Sequence, residues 1–256
     1  MSFFKLVGVE YKKIRRSYMI LILLTAVVIL WIPSICNAHL NFKMQAEGIS
    51  PEYNFFIQGF LGLCWFLFPA SMVVCTVLLI QTERSSRGIL KMLSLPVGTG
   101  KLCLAKFTVL LSLAALQIIL TVGMYTLSAW IVSRTQKYDF LLQPAFIWKE
   151  AGMIFLSAIP MLACYWMLAV CIQTPIFSIG AGLASVVPSV LVINTKAWFL
   201  YPMAYPFYII TSEYSRLAEH LSDFDVQLIP WLPAAGLMTA GCLGVSCMCF
   251  GRAERR

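Results

Sequence analysis

Apolar residues in this chain form six long runs that are separated by short polar connections. Each run is near or above the ~20 residues that a helix needs to cross the hydrocarbon core of a bilayer. Between the fourth and fifth runs only Thr174 and Pro175 offer a turn, so a single broken helix is the alternative there. The pattern predicts an all-α integral membrane protein with six transmembrane helices, in one domain over residues 1–256. The runs are approximately Tyr18–Ile35, Asn54–Gln81, Cys103–Val132, Ala151–Gln173, Ile176–Asn194 and Pro230–Phe250.

An amphipathic segment, residues 1–17, precedes the first run. Its apolar side chains recur at three- and four-residue steps from Phe4 to Ile14, and its lysines and arginines lie mostly off that stripe. This pattern predicts an interfacial helix that leads into the first span, either as a simple anchor or as an elbow that moves with the protein. A cleaved signal peptide ending near Ala38 is disfavoured, because the apolar run from Tyr18 is longer than a usual signal core.

A second amphipathic segment, residues 82–102, connects the second and third spans. It opens with Glu83 and Arg84, has an apolar side between Ile89 and Leu95, and then reaches Pro96, which cannot continue a helix. The pattern predicts a short cytoplasmic helix at the membrane surface, where a motor protein could push on the spans.

Composition and charge narrow the class of protein. Hydrophobic residues make up 60% of the chain and charged residues only 12%, a balance that excludes an ordinary soluble domain. Six spans place both termini on one side, and 13 of the 19 lysines and arginines fall on that side. Because cationic connections stay in the cytoplasm, both termini are predicted to be cytoplasmic. The excess positive charge is attributed to topology and anionic lipid, and not to nucleic-acid binding.

The chain carries no convincing catalytic or metal-binding motif. The run Gly98–Lys101 resembles the end of a phosphate-binding loop, but Leu95 stands where that loop needs glycine and Leu102 where it needs serine or threonine. The nine cysteines are interpreted as small hydrophobic residues of the helices. The predicted spans contain almost no ionisable side chains, which disfavours an ion-coupled carrier. We therefore predict a non-enzymatic transport pore with no cofactor or metal of its own, driven by a separate ATPase.

The connection between the last two spans, residues 195–229, is predicted to be an outer loop. Its first half is rich in aromatic residues and its second half in carboxylates. Aromatic rings favour the membrane–water interface, so one interpretation is an anchoring belt. The other is a surface that attracts a cationic, amphipathic peptide by opposite charge. The candidate substrate-facing residues are Trp198, Tyr201, Tyr205, Glu213, Glu219, Asp223 and Asp225.

Taken together, four motifs resemble the six-span permeases of the ABC-2 type, in particular the small permeases that protect bacteria against lantibiotics and related antimicrobial peptides. The resemblance covers nearly the whole chain, and it is more specific for the permease class than for the substrate. The motifs are the basic start Glu10–Ser17, Glu83 followed by Gly88, Leu93 and Pro96, Lys101 with the pair Ala105–Lys106, and the proline-aromatic segment Tyr201–Pro206.

The resemblance implies a protein of the bacterial cell membrane that works with a separate ABC ATPase and with a second copy of itself or a related permease. It implies that Glu83–Leu95 docks on the ATPase as a coupling helix and that residues 96–106 transmit force to the third span. It also implies export of a lantibiotic-type peptide, while sodium, a drug, a lipid-linked molecule or a non-transporting sensor role stay open. The implied coupling residues are Glu83, Arg84, Gly88, Leu93, Pro96, Lys101 and Lys106.

Overall fold

The computed structural model describes residues 3–14, 17–84, 98–218 and 228–250, apart from the side chains of residues 44–47 and 82–84. Within these ranges all regular structure is helical. Short 3₁₀ segments cover Ala38–Glu47, Trp198–Leu200 and Pro202–Ala204. The α-helices are α1 (Phe3–Ile14), α2 (Met19–Cys36), α3 (Pro51–Gly62), α4 (Phe68–Arg84), α5 (Thr99–Gln136), α6 (Pro144–Cys171), α7 (Pro175–Ala184), α8 (Ser189–Val192), α9 (Tyr205–Leu217) and α10 (Leu228–Phe250).

Six of these helical stretches are long and apolar enough to cross a membrane, which confirms the predicted all-α membrane fold. The first, third, fourth and sixth spans are α2, α5, α6 and α10. The second span joins α3 to α4 through one π-helical turn at Leu63–Leu67. The fifth span contains α7 and α8, with turns between Ala184 and Ser189.

Proline sets the start of several of these helices. Pro51, Pro144 and Pro175 each lie in the first turn of their helix, where a proline ring fixes a helical φ and its missing N–H costs no hydrogen bond. Thr174 precedes α7 as its N-cap residue. The fourth and fifth spans are therefore separate helices that meet at the predicted Thr174–Pro175 turn.

Two predicted connections differ from the structure in their extent. Helix α5 already begins at Thr99, so the predicted coupling segment, residues 82–102, overlaps the ends of both flanking helices. Its central part, residues 85–97, lies outside the described residues. The predicted outer loop contains the 13-residue helix α9, which packs against α6 and α3. Those contacts exist because Tyr205, Tyr208 and Ile209 turn their side chains into the core.

Helices α5 and α6 form the centre of the bundle. Helices α1 and α2 pack on α5, α9 and α10 pack mainly on α6, and α4 contacts α5, α6 and α7. Gly59 of α3 leaves room for the ring of Trp31 on α2, since a Cβ atom there would lie 2.4 Å from that ring. Trp31 is fully buried. Small residues at such crossings let membrane helices pack closely.

The bundle has two distinguishable ends. At one, called the α1 end, the start of α5 meets α1 and the end of α10, as Gly100 and Cys247 lie in contact. At the other, called the opposite end, the Tyr138 hydroxyl donates to Glu52 Oε2 over 2.6 Å. That hydrogen bond raises the pKa of Tyr138 to about 12, so the phenol stays neutral and tethers the α5–α6 connection to α3.

Candidate functional site

A buried ion pair joins α1 to the beginning of the third span. Lys106 Nζ lies 2.8 Å from Glu10 Oε2, and their side chains are only 1% and 2% exposed. Lys13, one helical turn after Glu10, places its Nζ 2.7 Å from Glu10 Oε1. Both carboxylate oxygens of Glu10 therefore accept charge-assisted hydrogen bonds, which are the strong class of such bonds.

Helix periodicity explains why Glu10 points inward. The buried residues of α1 are Leu6, Glu10 and Ile14, which are spaced four apart and share one face. Phe4 and Tyr11, on the predicted apolar stripe, are 85% and 44% exposed. Val7 and Ile14 of the same stripe are half-buried and buried, so the stripe runs from the exposed side of α1 into the face that holds it to α5.

Electrostatics keep Glu10 ionised in this buried position. Burial alone would raise the pKa of Glu10, but the charge and hydrogen bond of Lys106, together with those of Lys13, outweigh it and lower the pKa. At neutral pH the Glu10 carboxylate therefore keeps its negative charge. Removal of one partner from such a pair would strand the other in a water-poor site, so the pair acts as a strong tether between the two helices.

The structure separates the two described lysines of the predicted coupling set. Lys106 is buried in the ion pair, whereas Lys101, in the first turn of α5, is exposed. Glu83 and Arg84 occupy the last positions of α4. Gly88, Leu93 and Pro96 lie outside the described residues, so their coupling role stays a prediction.

Glu10 was not among the predicted site residues, although it belongs to the basic motif at the start of the chain. The feature that could have indicated a role for Glu10 is its negative charge, because Glu10 is the only carboxylate before Glu47. A lone acid in a strongly cationic segment has several possible partners, and spacing within one helix shows only Lys13. Its partner on α5 is 96 residues away and becomes visible only in the fold.

A second polar contact ties together the two helices that flank the coupling segment. Ser71 Oγ on α4 donates to Gln117 Oε1 on α5 over 2.6 Å. Gln117 is fully buried near the middle of its helix, and its Nε2 has no hydrogen-bond partner among the described residues. A search for charged side chains in the spans does not find this amide. The link makes α4 and α5 a hairpin that holds both ends of the connecting segment.

At the opposite end, the predicted substrate-facing aromatic residues pack inside the protein. Trp198 stacks on Tyr208 with ring centroids 3.7 Å apart and also contacts Trp231 of the sixth span. Tyr205 is fully buried, and its hydroxyl donates to the Phe199 carbonyl. This cluster anchors the segment between the fifth and sixth spans onto α10.

Tyr201 has a different role at the break in the fifth span. Its hydroxyl donates to the carbonyl of Ser185, the residue that follows α7. Burial raises the pKa of Tyr201, which keeps this donor protonated. Backbone groups that leave a helix inside a membrane need such partners, because lipid offers none.

The carboxylates of the same segment divide into two groups. Glu213 on α9 is buried and is bonded by Arg216 one turn later. On the facing helix α6, Glu150 is also buried and pairs with Lys149 over 3.2 Å. The remaining three acids, Glu219, Asp223 and Asp225, lie outside the described residues. A substrate-facing role for this segment therefore stays a prediction, and three of its four described members are buried.

Seven of the nine cysteines are buried or half-buried, and the other two, Cys36 and Cys171, are exposed. Cys164 of α6 and Cys242 of α10 have their sulfur atoms 3.4 Å apart in the contact between the fourth and sixth spans. In the part of the chain that the structure describes, no group of three or more His, Cys, Asp or Glu residues could hold a metal ion. The buried thiols act as small, polarisable side chains in the helix contacts.

Comparison with protein families identifies the class to which this bundle belongs. Residues 6–189 match the family model described as ABC-2 family transporter protein. The match spans most of the chain, from α1 to the start of α8 and including the Glu10–Lys106 pair, and the chain therefore belongs to the ABC-2 transporter family. Searches of curated proteins and of solved structures gave no significant match.

Family membership has two direct consequences. The chain is the membrane permease component of an ABC transporter and is not itself the catalytic subunit. Such a permease works with an ABC ATPase subunit. The six apolar spans agree with a multi-pass protein of the membrane.

Proposed function

We propose that this permease exports a lantibiotic-type antimicrobial peptide from the bacterial cell membrane and thereby confers immunity. ATP closure of two separate ATPase subunits drives the cycle, and a second copy or a related permease completes the pore. The termini and the segment at residues 82–102 face the cytoplasm, as the distribution of cations supports. No ATP, metal or other cofactor is held by this chain.

The observation that carries the coupling part of the proposal is the buried Glu10–Lys106 pair. Lys106 is the eighth residue of α5 and the last residue of the stretch 96–106, which is expected to transmit force from the docking segment Glu83–Leu95 to the third span. A push on that segment reaches α5 and, through the ion pair, moves α1 with it. This favours the elbow interpretation of α1 over a passive anchor.

Leu90→Pro tests the coupling segment. Proline inside a helix costs about 3 kcal/mol, enough to break a short one. We expect the variant to reach the membrane but to lose stimulation of the partner ATPase, measured as phosphate release in co-reconstituted vesicles. Leu90→Ala is the matched control and should keep the stimulation. Normal ATPase binding and stimulation by Leu90→Pro would show that coupling runs elsewhere.

The resistance of a host cell to antimicrobial peptides tests which substrate the permease exports. The complete transporter, with its ATPase and any sister permease, should raise the concentration of a cationic lanthionine peptide that inhibits a sensitive Gram-positive host. An ATPase-inactive complex is the control. Neutralising Glu219, Asp223 and Asp225 together should weaken the resistance, and more so at low salt, because surface attraction is screened beyond ~8 Å at physiological ionic strength.

Glu213 is left out of this combined substitution, because its buried carboxylate is bonded to Arg216 and its removal would perturb folding. An active complex that leaves peptide sensitivity unchanged but alters tolerance to sodium or a drug would replace the peptide with that cargo. An assembled complex that transports none of them would favour the sensor role.

A further inference from the structure

A cavity of about 570 Å³ opens at the opposite end of the bundle, between the last turn of α2, the 3₁₀ segment Ala38–Glu47 and the first turns of α3. This volume lies within the roughly 300–1,000 Å³ that small-molecule sites usually occupy. Its walls are of two kinds. Pro33, Leu40 and Phe55 form the apolar part, and Ser34, four side-chain amides and one lysine form the polar part.

Two buried amides build the polar wall. Asn54 Nδ2 donates to Asn41 Oδ1 over 2.8 Å, and Asn41 Nδ2 donates to the Ala38 carbonyl over 2.8 Å. Both asparagines are less than 10% exposed. Their hydrogen bonds fix the 3₁₀ segment against α3, so the cavity has a preformed frame.

The polar side chains at the mouth of the cavity are exposed, unlike the buried pair Asn41 and Asn54. Asn37, Lys43 and Gln58 all line the cavity and have exposed side chains. Gln58 makes one long contact, with its Nε2 3.5 Å from Asn54 Oδ1. Together they offer one ammonium group and two primary amides, all of them hydrogen-bond donors.

The position of the cavity argues for a lipid ligand. Pro33 belongs to the first span and Gln58 to the second, and the neighbouring Ile29 and Ile32 on α2 are 61% and 53% exposed. An exposed amide on an apolar span is costly unless a polar group reaches it. An amphipathic molecule at headgroup depth would satisfy both walls, with its polar part at the lysine and amides and its apolar part at Pro33.

We propose that this cavity binds the headgroup of an anionic phospholipid. Lys43 pairs with the phosphate as a point charge, and the amides of Asn37 and Gln58 donate to phosphate and glycerol oxygens. Basic pockets between membrane helices bind lipid headgroups on the cytoplasmic side, and this cavity presents the same kinds of donor to a headgroup at the opposite end. The site takes an anion, so it is separate from any surface for a cationic cargo and does not depend on the proposed peptide.

Lipid-dependent thermal unfolding of the purified full-length protein in detergent tests the proposal. The probes are phosphatidylglycerol, phosphatidylcholine, inorganic phosphate and glycerol phosphate. Phosphatidylglycerol should raise the unfolding temperature in a saturable way, and phosphatidylcholine should not. Lys43→Gln and Gln58→Leu should each weaken the apparent affinity for phosphatidylglycerol roughly fivefold or more.

Lys196→Gln is the matched control, since Lys196 is also an exposed lysine near the opposite end but does not line the cavity. It should bind phosphatidylglycerol like the wild type. The unfolding temperature in phosphatidylcholine alone shows whether each variant folds normally. If Gln58→Leu does not fold normally, Asn37→Leu takes its place. Equal effects of Lys43→Gln and Lys196→Gln, or equal binding of both lipids, would overturn the proposal. Tight binding of free phosphate without a lipid preference would replace the lipid with a soluble phosphate compound.

Discussion

Replacing Glu10 by glutamine would test the tether between α1 and the third span. The substitution keeps the size of the side chain but removes the negative charge between Lys106 and Lys13. Since Lys106 is only 1% exposed, its ammonium group would be left in a site that water scarcely reaches. Breaking a buried pair in this way costs about 3–5 kcal/mol.

That free energy translates into a measurable shift. For a domain of this size about 1 kcal/mol lowers the unfolding temperature by roughly 2–4 °C, so Glu10→Gln should lower it by roughly 6–20 °C. If α1 detaches without global unfolding, hydrogen exchange of residues 3–14 should rise instead. Either result measures the same tether.

A double-mutant cycle separates the pair from its parts. Glu10→Leu and Lys106→Leu should each destabilise the protein, whereas the combined variant should recover most of the loss, because an apolar pair of similar volume often replaces a buried ion pair without cost. Lys101→Gln is the matched control, since it removes a lysine charge from an exposed position on the same helix.

The pH dependence supplies a further check. The pKa of Glu10 is lowered from its usual 4.5, so its stabilising contribution is complete above that value and is lost as the pH falls below it. The difference between wild type and Glu10→Gln should therefore shrink in acid. The tether would be refuted if Glu10→Gln shifted unfolding and exchange no more than Lys101→Gln does.

Two further predictions address packing and topology. Gly182→Ala should destabilise the contact between α7 and α4 by about 1–3 kcal/mol, because its Cβ would lie 2.7 Å from Val73 Cγ1; Gly180→Ala on the same helix meets no atom within 4 Å and should be tolerated in the same thermal assay. In a cysteine-free variant, Glu219→Cys should react with a membrane-impermeant thiol reagent in intact cells and Ser86→Cys should not. Labelling of Ser86→Cys in sealed cells would reverse the proposed orientation.

The spans were predictable because the sequence determines them locally. Length and apolar character marked all six, whereas the separation of the fourth and fifth spans rested on Thr174 and Pro175 alone and left one broken helix as the alternative. Helix ends were less predictable. Helix α5 begins at Thr99, four residues before the apolar run that predicted the third span, and the residues of this first turn are not apolar enough to mark the start of a span.

The partners of polar residues could not be predicted, because they depend on which helices meet. Glu10 and Lys106 are each unremarkable in their own segments, and only the packing of α1 on α5 brings them together. Gln117 was not predicted for a different reason, since a criterion based on charge passes over an uncharged amide. The aromatic residues Trp198 and Tyr205 suggested a surface, but Trp198 stacks on Tyr208 of α9 and Tyr205 makes an edge contact with Trp231 of α10.

The length of α5 has a mechanical consequence. Its 38 residues contain no proline and extend about 57 Å at 1.5 Å per residue, longer than the whole thickness of a bilayer. A helix of this kind transmits rotation as a lever does. A change of tilt of about 5° about the end that holds Lys106 would displace the far end, near Tyr138, by about 5 Å, given that rise per residue. A small stroke at one membrane face would thus reach the other face directly, without passing through any loop.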